Sequence, residues 1–348
     1  MRELKFTQAI NEATALAMEA DPRVQIMGLG VPDPTGIFGT TTGLQERFGS
    51  ERVTDLPTSE NAMTGVAIGC ALTGMRPILT HQRVDFAVLT MEQIVNQAAK
   101  WHYMFGGRMR VPIVIRMIIG RGWGQGPQHS QSLQAWFAHV PGLKVVMPTS
   151  PHDVKGLLIS AIEDDNPVVI LEHRWLYNFS GPVPEGLYRV PIGQAATVRP
   201  GTDVTIVSIS YMTLEAQRAA DVLQRHGISA EVIDLRSLRP WDETRVLESV
   251  RRTGRLVVAD TAWKTGGFAG EILARVAEEG IPMKVAPRRV CLPDSSTPTS
   301  PALSAHYYPR AVHIEQAVAG MFGVDLPEAH EVPTIPLDQP DLSFTGPF

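Results

Sequence analysis

The first residue in this chain with an evident chemical use is a glutamate at the predicted start of a helix. Glu60 follows a short extended run, and Ser59 just before it is a plausible N-cap residue. Gly65 and Gly69 lie four residues apart and leave one face of the helix without side chains, so another backbone can approach it closely. Taken alone, this pattern favours a solvated carboxylate that interacts with the helix dipole over a carboxylate that takes part in a reaction.

A histidine that follows a glycine-rich stretch is the second candidate. Glycine occupies every second position from 120 to 126, and His129 comes three residues later. Such a stretch is flexible enough to become ordered over a ligand. A histidine whose pKa lies near neutrality can donate a hydrogen bond to an anionic group or take part in proton transfer. A lone histidine on a loop is more often solvated, and the residues alone leave both interpretations open.

These candidates lie on a chain in which short apolar runs rich in β-branched residues alternate with longer segments of helical period. In the first half, the predicted strands are residues 24–29, 76–80, 112–119, 144–147 and 167–172, and the predicted helices are 7–19, 61–72, 91–104 and 151–163. Ser150 with Asp153 predicts the N-terminus of the last of these helices, and Gly106 predicts the end of the third.

A second alternating region follows a Pro- and Gly-rich interruption. Its predicted strands are residues 203–209, 230–234 and 255–259, and its predicted helices are 213–226, 243–252 and 267–279. The pattern predicts an α/β fold of two three-layer domains with parallel sheets, residues 1–185 and 203–323, joined by a linker at 186–202. The Pro-rich residues 324–348 lack periodicity and predict an extended tail that is either loose or laid over a neighbour.

Composition narrows the class of protein. The chain has 348 residues, of which 44% are hydrophobic, enough for two domain cores. A net charge of −5 gives no electrostatic reason for a nucleic-acid or membrane-surface partner, and no apolar run approaches the roughly 18 residues of a membrane span. Cys70 and Cys291 lack metal-binding spacing. We expect a soluble cytoplasmic protein that binds neither nucleic acid nor membrane.

Three runs of residues resemble one known family. The run T-S-E-N-A-x-T-G-x-A-I-G-x-A-x-x-G-x-R-P-I spans residues 58–78, D-F-x-x-x-x-M-E-Q-I-V-N-Q-A-A-K-W-H-Y-M-F-G-G spans 85–107, and G-Q-G-P-Q-H-S-Q-S-L-Q-A-W-F-A-H-V-P-G-L-K-V-V-M-P spans 124–148. They are similar to the pyrimidine-binding domain of the β subunits of thiamine-diphosphate-dependent 2-oxo acid dehydrogenases of the pyruvate, acetoin and branched-chain type. These subunits belong to the transketolase-like superfamily, and the resemblance covers roughly residues 4–322.

The resemblance implies roles for three residues. In that family the equivalent of Glu60 hydrogen-bonds the aminopyrimidine ring of thiamine diphosphate, whose imino form removes the proton from the thiazolium carbon. That imino form requires a carboxyl group in an apolar pocket, where its pKa is raised. Phe86 would stack on the pyrimidine ring, with plain core packing as the alternative. His129 would orient the carboxylate of a 2-oxo acid and later help acyl transfer.

The resemblance also implies partners. The second half resembles the transketolase C-terminal domain, which mainly supports subunit association. The sequence contains no Gly-Asp-Gly motif, with which thiamine enzymes hold the diphosphate through Mg²⁺. An α subunit would therefore supply that half of the site in an α₂β₂ heterotetramer, with a lipoyl acyltransferase core as a further partner. Some relatives bind K⁺, which here would use the carbonyls of Ile113 and Ala161 with Asp164 and Asn166, although such residues also suit an ordinary turn.

Some positions depart from the family pattern. Residues 27–30 lack the usual acidic pair, and the polar His81 and Arg83 occur where an aromatic-rich segment is typical. We predict His81, Arg83 and Gln128 as substrate contacts, with Arg83 binding a second anionic group of an unusual substrate or acceptor. Pairing of Arg83 with Asp85 or with the α subunit is the alternative.

Together these features predict a β subunit of an enzyme that decarboxylates a 2-oxo acid on thiamine diphosphate and transfers the resulting acyl or aldehyde unit. One alternative is the C-terminal half of a split transketolase-like enzyme that moves a ketol or acyl unit to another acceptor. A second alternative is an inactive paralogue that binds a partner, which retention of Glu60, Phe86 and His129 together argues against.

Overall fold

The computed structural model describes residues 2–121, 125–327 and 337–340, which form two compact units. Unit 1 comprises Met1–Ile119, Trp136–Ile192 and Leu238–Pro240, and unit 2 comprises Gly120–Ala135, Gly193–Ser237 and Trp241–Phe348. The segment that carries His129 lies within the predicted first domain in sequence, yet it packs with unit 2.

Unit 1 is built on a mainly parallel sheet. Its strands are β1 Arg2–Lys5, β2 Val24–Gly28, β3 Val53–Asp55, β4 Arg76–His81, β5 Val114–Ile119, β6 Lys144–Val146, β7 Val168–His173 and β8 Ser180–Val183. The seven-stranded sheet has the order β12-β6-β7-β5-β4-β2-β3, in which β12 is the edge strand Ser237–Arg239, and the pairings among β2 to β7 are parallel. The strands β1 and β8 pair separately and antiparallel. The predicted parallel sheet of the first half is confirmed.

The helices of unit 1 are α1 Phe6–Ala20, α2 Gly36–Gly39, α3 Leu44–Phe48, α4 Glu60–Leu72, α5 Val84–Ala87, α6 Trp101–Met104, α7 Gln134–His139, which begins in unit 2, and α8 Pro151–Glu163. The Ser150 side chain accepts a hydrogen bond from the Asp153 N–H at 3.0 Å, which confirms the predicted cap of α8. The single helix predicted at 91–104 is wrong. A π-helix (Gln93–Ala98), in which the Ala99 N–H bonds to the Ile94 carbonyl five residues back, and the short helix α6 replace it.

The core of unit 1 contains a fully buried ion pair. Arg116 on β5 and Glu172 on β7 are each 1% exposed. Arg116 Nε donates to Glu172 Oε1 at 2.6 Å and Nη2 donates to Oε2 at 3.0 Å, while the Tyr177 hydroxyl donates to Oε2 at 2.7 Å. Helices cover both faces of a parallel sheet, so polar side chains in its interior must find partners within the protein.

Unit 2 contains a five-stranded sheet with the order β14-β13-β10-β11-β9. Its strands are β9 Ala196–Arg199, β10 Val204–Ser208, β11 Ala230–Asp234, β13 Leu256–Trp263 and β14 Arg288–Leu292, and its helices are α9 Met212–Arg225, α10 Glu243–Thr253, α11 Phe268–Glu278, α12 Pro301–Ser304 and α13 Ala311–Phe322. All pairings except the antiparallel one between β9 and β11 are parallel. Within the predicted linker, residues 186–202, the strand β9 pairs with the edge of β11.

The described part of the tail, residues 337–340, contacts its own unit 2. Arg310 donates hydrogen bonds to the carbonyls of Leu337, Gln339 and Pro340, which anchor this part of the tail to unit 2. In the parts of the chain that the structure describes, we find no helix that is both long and apolar enough to cross a bilayer.

Candidate functional site

A pocket opens in unit 1 where β2 and β4 end and α4 begins. It encloses about 380 Å³, including open solvent at its mouth, and is lined by Gly28, Leu29, Leu56, Pro57, Glu60, Met63, Leu79, Thr80, His81, Gln82 and Phe86. The carboxyl edge of a parallel sheet is where α/β proteins commonly bind ligands.

Close packing of two strands forms the base of this pocket. A Cβ on Gly28 would lie 2.4 Å from the Thr80 carbonyl oxygen of the neighbouring strand. The Gln82 Nε2 atom donates to the Leu29 carbonyl at 3.2 Å and so links the residues that follow β2 and β4. The sequence analysis did not identify Gln82, although its position directly after His81 at a strand end was an available signal.

Glu60, in the first turn of α4, lines the pocket. Glu60 is half-buried, and its carbonyl accepts a hydrogen bond from the Thr64 hydroxyl at 2.7 Å. Ser59 occupies the N-cap position, as predicted, and its side chain makes no cap hydrogen bond. Most N-cap residues have an extended backbone, which directs the side chain toward the free N–H groups of the first turn. Ser59 has a ψ of 64° and departs from that conformation.

Apolar and aromatic residues line the pocket together with Glu60. Phe86 on α5 lines the same pocket, together with the side chains of Leu56, Met63 and Leu79. One acid, one aromatic ring and apolar walls suit a flat heteroaromatic ligand that can accept or share a proton. These residues therefore fit the aminopyrimidine ring that the sequence resemblance implies.

His81 lines the pocket as a neutral imidazole. It is 6% exposed, and burial lowers its pKa to about 4. Its Nε2 atom lies 3.5 Å from the Thr64 hydroxyl, a long contact. A neutral ring can donate or accept a hydrogen bond without adding charge beside the Glu60 carboxylate.

Arg83 does not line this pocket. It is 3% exposed, and its positive charge acts on His173 at the end of β7. The pKa of His173 falls to about 3, mainly through burial and further through Arg83. Binding of a second anionic group by Arg83 stays a prediction.

We expect His81 to make folding stability depend on pH. Its pKa is about 4 when folded and 6.5 when unfolded, so the unfolded chain binds more protons between these values, and stability is lost as the pH falls from about 6.5 to 4. For this residue the loss between pH 7.5 and pH 5 is about 2 kcal/mol. Urea unfolding at both pH values should show that His81→Phe removes this part of the loss, whereas His139→Gln, at an exposed histidine, does not. Equal pH dependence in the wild type and His81→Phe would contradict the expectation.

His129 and Gln128 belong to unit 2 and lie in the histidine loop, the stretch from Gly120 to Gln131, of which the structure describes Gly120, Arg121 and residues 125–131. The Gly120 N–H donates to the Gln131 carbonyl at 3.1 Å, which joins the two ends, and the His129 N–H donates to the Gly126 carbonyl at 3.2 Å. His129 is half-buried and Gln128 is exposed. The glycines at 122 and 124 of the predicted flexible stretch lie outside the described residues.

Gln134, which lies shortly after this loop in the sequence, binds a buried aspartate that the sequence did not predict as a site residue. Asp260 on β13 is fully buried, and Gln134 Nε2 donates to its Oδ1 at 2.7 Å. Burial raises the pKa of Asp260 to about 6. No sequence signal marked this pair, because its members lie 126 positions apart.

The predicted cation-binding residues lie just before β5 and around the end of α8. The Ile113 carbonyl accepts from the Val168 N–H at 3.0 Å, and the Ala161 carbonyl accepts from the Asp164 N–H at 3.3 Å. Asp164 Oδ1 accepts from the Asn166 N–H at 2.9 Å, and Oδ2 pairs with the Lys144 ammonium group. Among the described residues, there is no group of three or more His, Cys, Asp or Glu placed to hold a metal ion.

Two family models match this chain. Residues 2–180 match the transketolase pyrimidine binding domain, and residues 193–314 match the transketolase C-terminal domain. Both matches agree with the two α/β units of the structure.

Curated relatives match over most of their length. The chain is 45% identical over 327 residues to the acetoin:2,6-dichlorophenolindophenol oxidoreductase subunit beta of Cupriavidus necator, covering 91% of this chain and 96% of that one. It is 40% identical to the Bacillus subtilis protein of the same name, covering 92% and 98%. It is 42% identical to the pyruvate dehydrogenase E1 component subunit beta of Rickettsia felis, covering 82% and 87%. A solved structure titled split gene transketolase, inactive beta4 tetramer, aligns with a TM-score of 0.75 and 25% identity, covering 92% and 99%.

Proposed function

The chain belongs to the transketolase-like family of β subunits of thiamine-diphosphate-dependent 2-oxo acid dehydrogenases, and from this we propose that it supplies one half of a shared active site. The enzyme cleaves a carbon–carbon bond next to a carbonyl group and transfers the resulting acyl or aldehyde unit. The observation that supports this assignment best is that Glu60 and Phe86 line one pocket at the carboxyl edge of the sheet. The names of the relatives suggest two donor classes, 2-oxo acids such as pyruvate and hydroxyketones such as acetoin.

The residues of this chain would hold and activate one ring of the cofactor. Thiamine diphosphate supplies a nucleophilic carbon and an electron sink when it is bound. Glu60 would share a proton with the far nitrogen of the aminopyrimidine ring, and Phe86 would support the face of that ring. We propose that His129 donates a hydrogen bond to an oxygen of the donor substrate and that His81, which is neutral, contributes an uncharged hydrogen bond.

An α subunit would complete the site. The α subunit would bind the Mg²⁺ ion and the diphosphate group. This chain has no Gly-Asp-Gly motif, and its described residues contain no group of three or more His, Cys, Asp or Glu placed to hold a metal ion. We propose an α₂β₂ heterotetramer, with a lipoyl acyltransferase as the acceptor of the acyl unit.

We propose K⁺ as a structural ion at Ile113, Ala161, Asp164 and Asn166. The Ile113 and Ala161 carbonyls and the Asp164 carboxylate already accept hydrogen bonds, and K⁺ would compete with Lys144 for the Asp164 carboxylate. If K⁺ binds, the melting temperature should be higher in potassium chloride than in choline chloride at equal ionic strength. Equal melting temperatures in the two salts would remove K⁺ from the proposal.

Calorimetric titration tests the shared site. We expect thiamine diphosphate with Mg²⁺ to bind when the chain is co-expressed with an α-type chain, and not to bind tightly to the chain alone. Pyruvate, acetoin and a ketose phosphate should then be compared as donors, because the solved relative is a split transketolase. Tight binding by the isolated chain would contradict the proposal of a shared site, and turnover of the ketose phosphate alone would favour the transketolase alternative.

A further inference from the structure

The described part of the C-terminal tail is anchored by a buried arginine. Arg310 is 7% exposed, and its Nη1 and Nη2 atoms donate to the Leu337 and Pro340 carbonyls at 3.2 Å each. Arg310 Nε in turn lies 3.1 Å from Glu215 Oε1, and Glu215 Oε2 accepts from the Ala311 N–H at 2.8 Å. The Arg310 guanidinium group therefore pairs with Glu215 through Nε and binds the tail carbonyls through Nη1 and Nη2.

This anchor places Asp338 against the first residues of the histidine loop. Asp338 is 7% exposed, its Oδ2 atom accepts a hydrogen bond from the buried Ser304 hydroxyl at 2.7 Å, and the same atom lies 3.0 Å from Arg121 Nη1. Arg121 is 2% exposed and lies over the Tyr308 ring at 5.8 Å. A buried guanidinium group without a counter-charge is costly, so the carboxylate of the tail stabilises Arg121 in this position.

Arg121 directly follows the point where the histidine loop closes. Gly120 pairs with Gln131 across the ends of the loop, and the Ser130 hydroxyl donates to the Gln125 carbonyl at 3.1 Å. On another side, a Cβ on Gly126 would lie 2.2 Å from the Thr299 hydroxyl oxygen, so the loop packs tightly against residue 299. Displacement of Arg121 would therefore disturb the neighbouring Gly120–Gln131 hydrogen bond and, through it, residues 125–131, which these contacts hold in place.

We propose that Asp338 is a positioning residue, through which the C-terminal tail fixes the loop that carries His129. The importance of this loop for the reaction rests on the proposed function, whereas the mechanical link between tail and loop does not. The tail thereby influences, through Arg121, the position of His129 toward the substrate.

Hydrogen exchange on the full chain tests the link directly. In Asp338→Ala, we expect the amides of residues 125–131 to exchange about tenfold faster than in the wild type, because the loop opens more often when Arg121 loses its counter-charge. Asp338→Glu keeps the charge and should restore slow exchange. Gln339→Ala is the matched control, since only the carbonyl of Gln339 is bound by Arg310. If Asp338→Ala does not fold, Arg121→Gln breaks the same pair from the other side. Unchanged exchange of the loop in the folded variant overturns the proposal.

Turnover with the α subunit provides a second readout. Asp338→Ala should lower kcat about tenfold while the affinity for thiamine diphosphate stays constant, and Asp338→Glu should recover most of kcat. A fall in cofactor affinity without a change in kcat would mean that the tail supports the fold only, which overturns the positioning role. If His129→Ala leaves turnover unchanged, the role proposed for His129 is wrong, while fast loop exchange in Asp338→Ala still supports the link between tail and loop.

Discussion

Replacing Glu60 with glutamine lowers the turnover of the assembled enzyme by a factor of about 10² to 10⁴, the range that a positioned acid–base group contributes. Glu60 is the only acidic side chain among the described residues that line the pocket. Glutamine keeps the size of the side chain and its capacity to form hydrogen bonds, but it cannot share a proton with a ring nitrogen. We therefore expect kcat to fall far more than the affinity for the cofactor, as measured by steady-state kinetics and calorimetry.

A matched variant separates this role from an effect on helix stability. Glu46 is also a first-turn glutamate, on helix α3, and is exposed and absent from the pocket lining. Glu46→Gln and Glu60→Gln each remove one favourable interaction with a helix dipole, which is worth less than about 1 kcal/mol at an exposed site. Only Glu60→Gln should lose turnover. If Glu60→Gln keeps more than a tenth of wild-type kcat, Glu60 is the solvated first-turn carboxylate of the simpler interpretation.

The largest effect on folding should come from Glu172→Gln. This substitution leaves the Arg116 guanidinium fully buried without a counter-charge, and one nitrogen, Nη1, already has no hydrogen-bond partner among the described residues. Removing one member of a buried pair costs about 3–5 kcal/mol, because the remaining charge stays desolvated. Urea unfolding should show a decrease of that size in the free energy of unfolding.

Two further variants test the cause of this effect. Glu163→Gln removes a comparable bidentate pair with Arg189 at the surface, where the side chains are 45% and 57% exposed, and should lower the free energy of unfolding far less than Glu172→Gln. Replacing Arg116 and Glu172 together with methionine should recover much of the loss, since neither charge remains buried. A double variant as unstable as Glu172→Gln would show that packing, and not the unpaired charge, decides the cost.

Local sequence patterns predicted much of the fold and part of the site. The alternation of apolar runs and helical segments identified the parallel sheets, because strands covered on both faces are continuously apolar. Glu60 and Phe86 were identified together from motif resemblance, and both line the pocket. His81 was identified as an unexpected polar residue, and the structure shows how the pocket accommodates it, as an uncharged ring.

The features that the sequence did not predict depend on contacts between distant residues. Whether 196–199 becomes a strand depends on the free edge of β11, and the position of residues 337–340 depends on Arg310. The packing of 120–135 with unit 2 involves the bond between Gln134 and Asp260. No pattern within a window of a few residues contains such information, since each partner lies tens of positions away.

The close packing of Gly28 against Thr80 limits how the specificity of this pocket can be redesigned. Any side chain at position 28 would collide with the backbone of the neighbouring strand and push β2 away from β4, which carries His81. Saturation libraries that include this position would therefore recover mostly unfolded variants. Leu29, Met63 and His81 line the same space with side chains that can change in size and polarity, so an engineer who wants the pocket to accept a different ring should vary these three and leave the glycine unaltered.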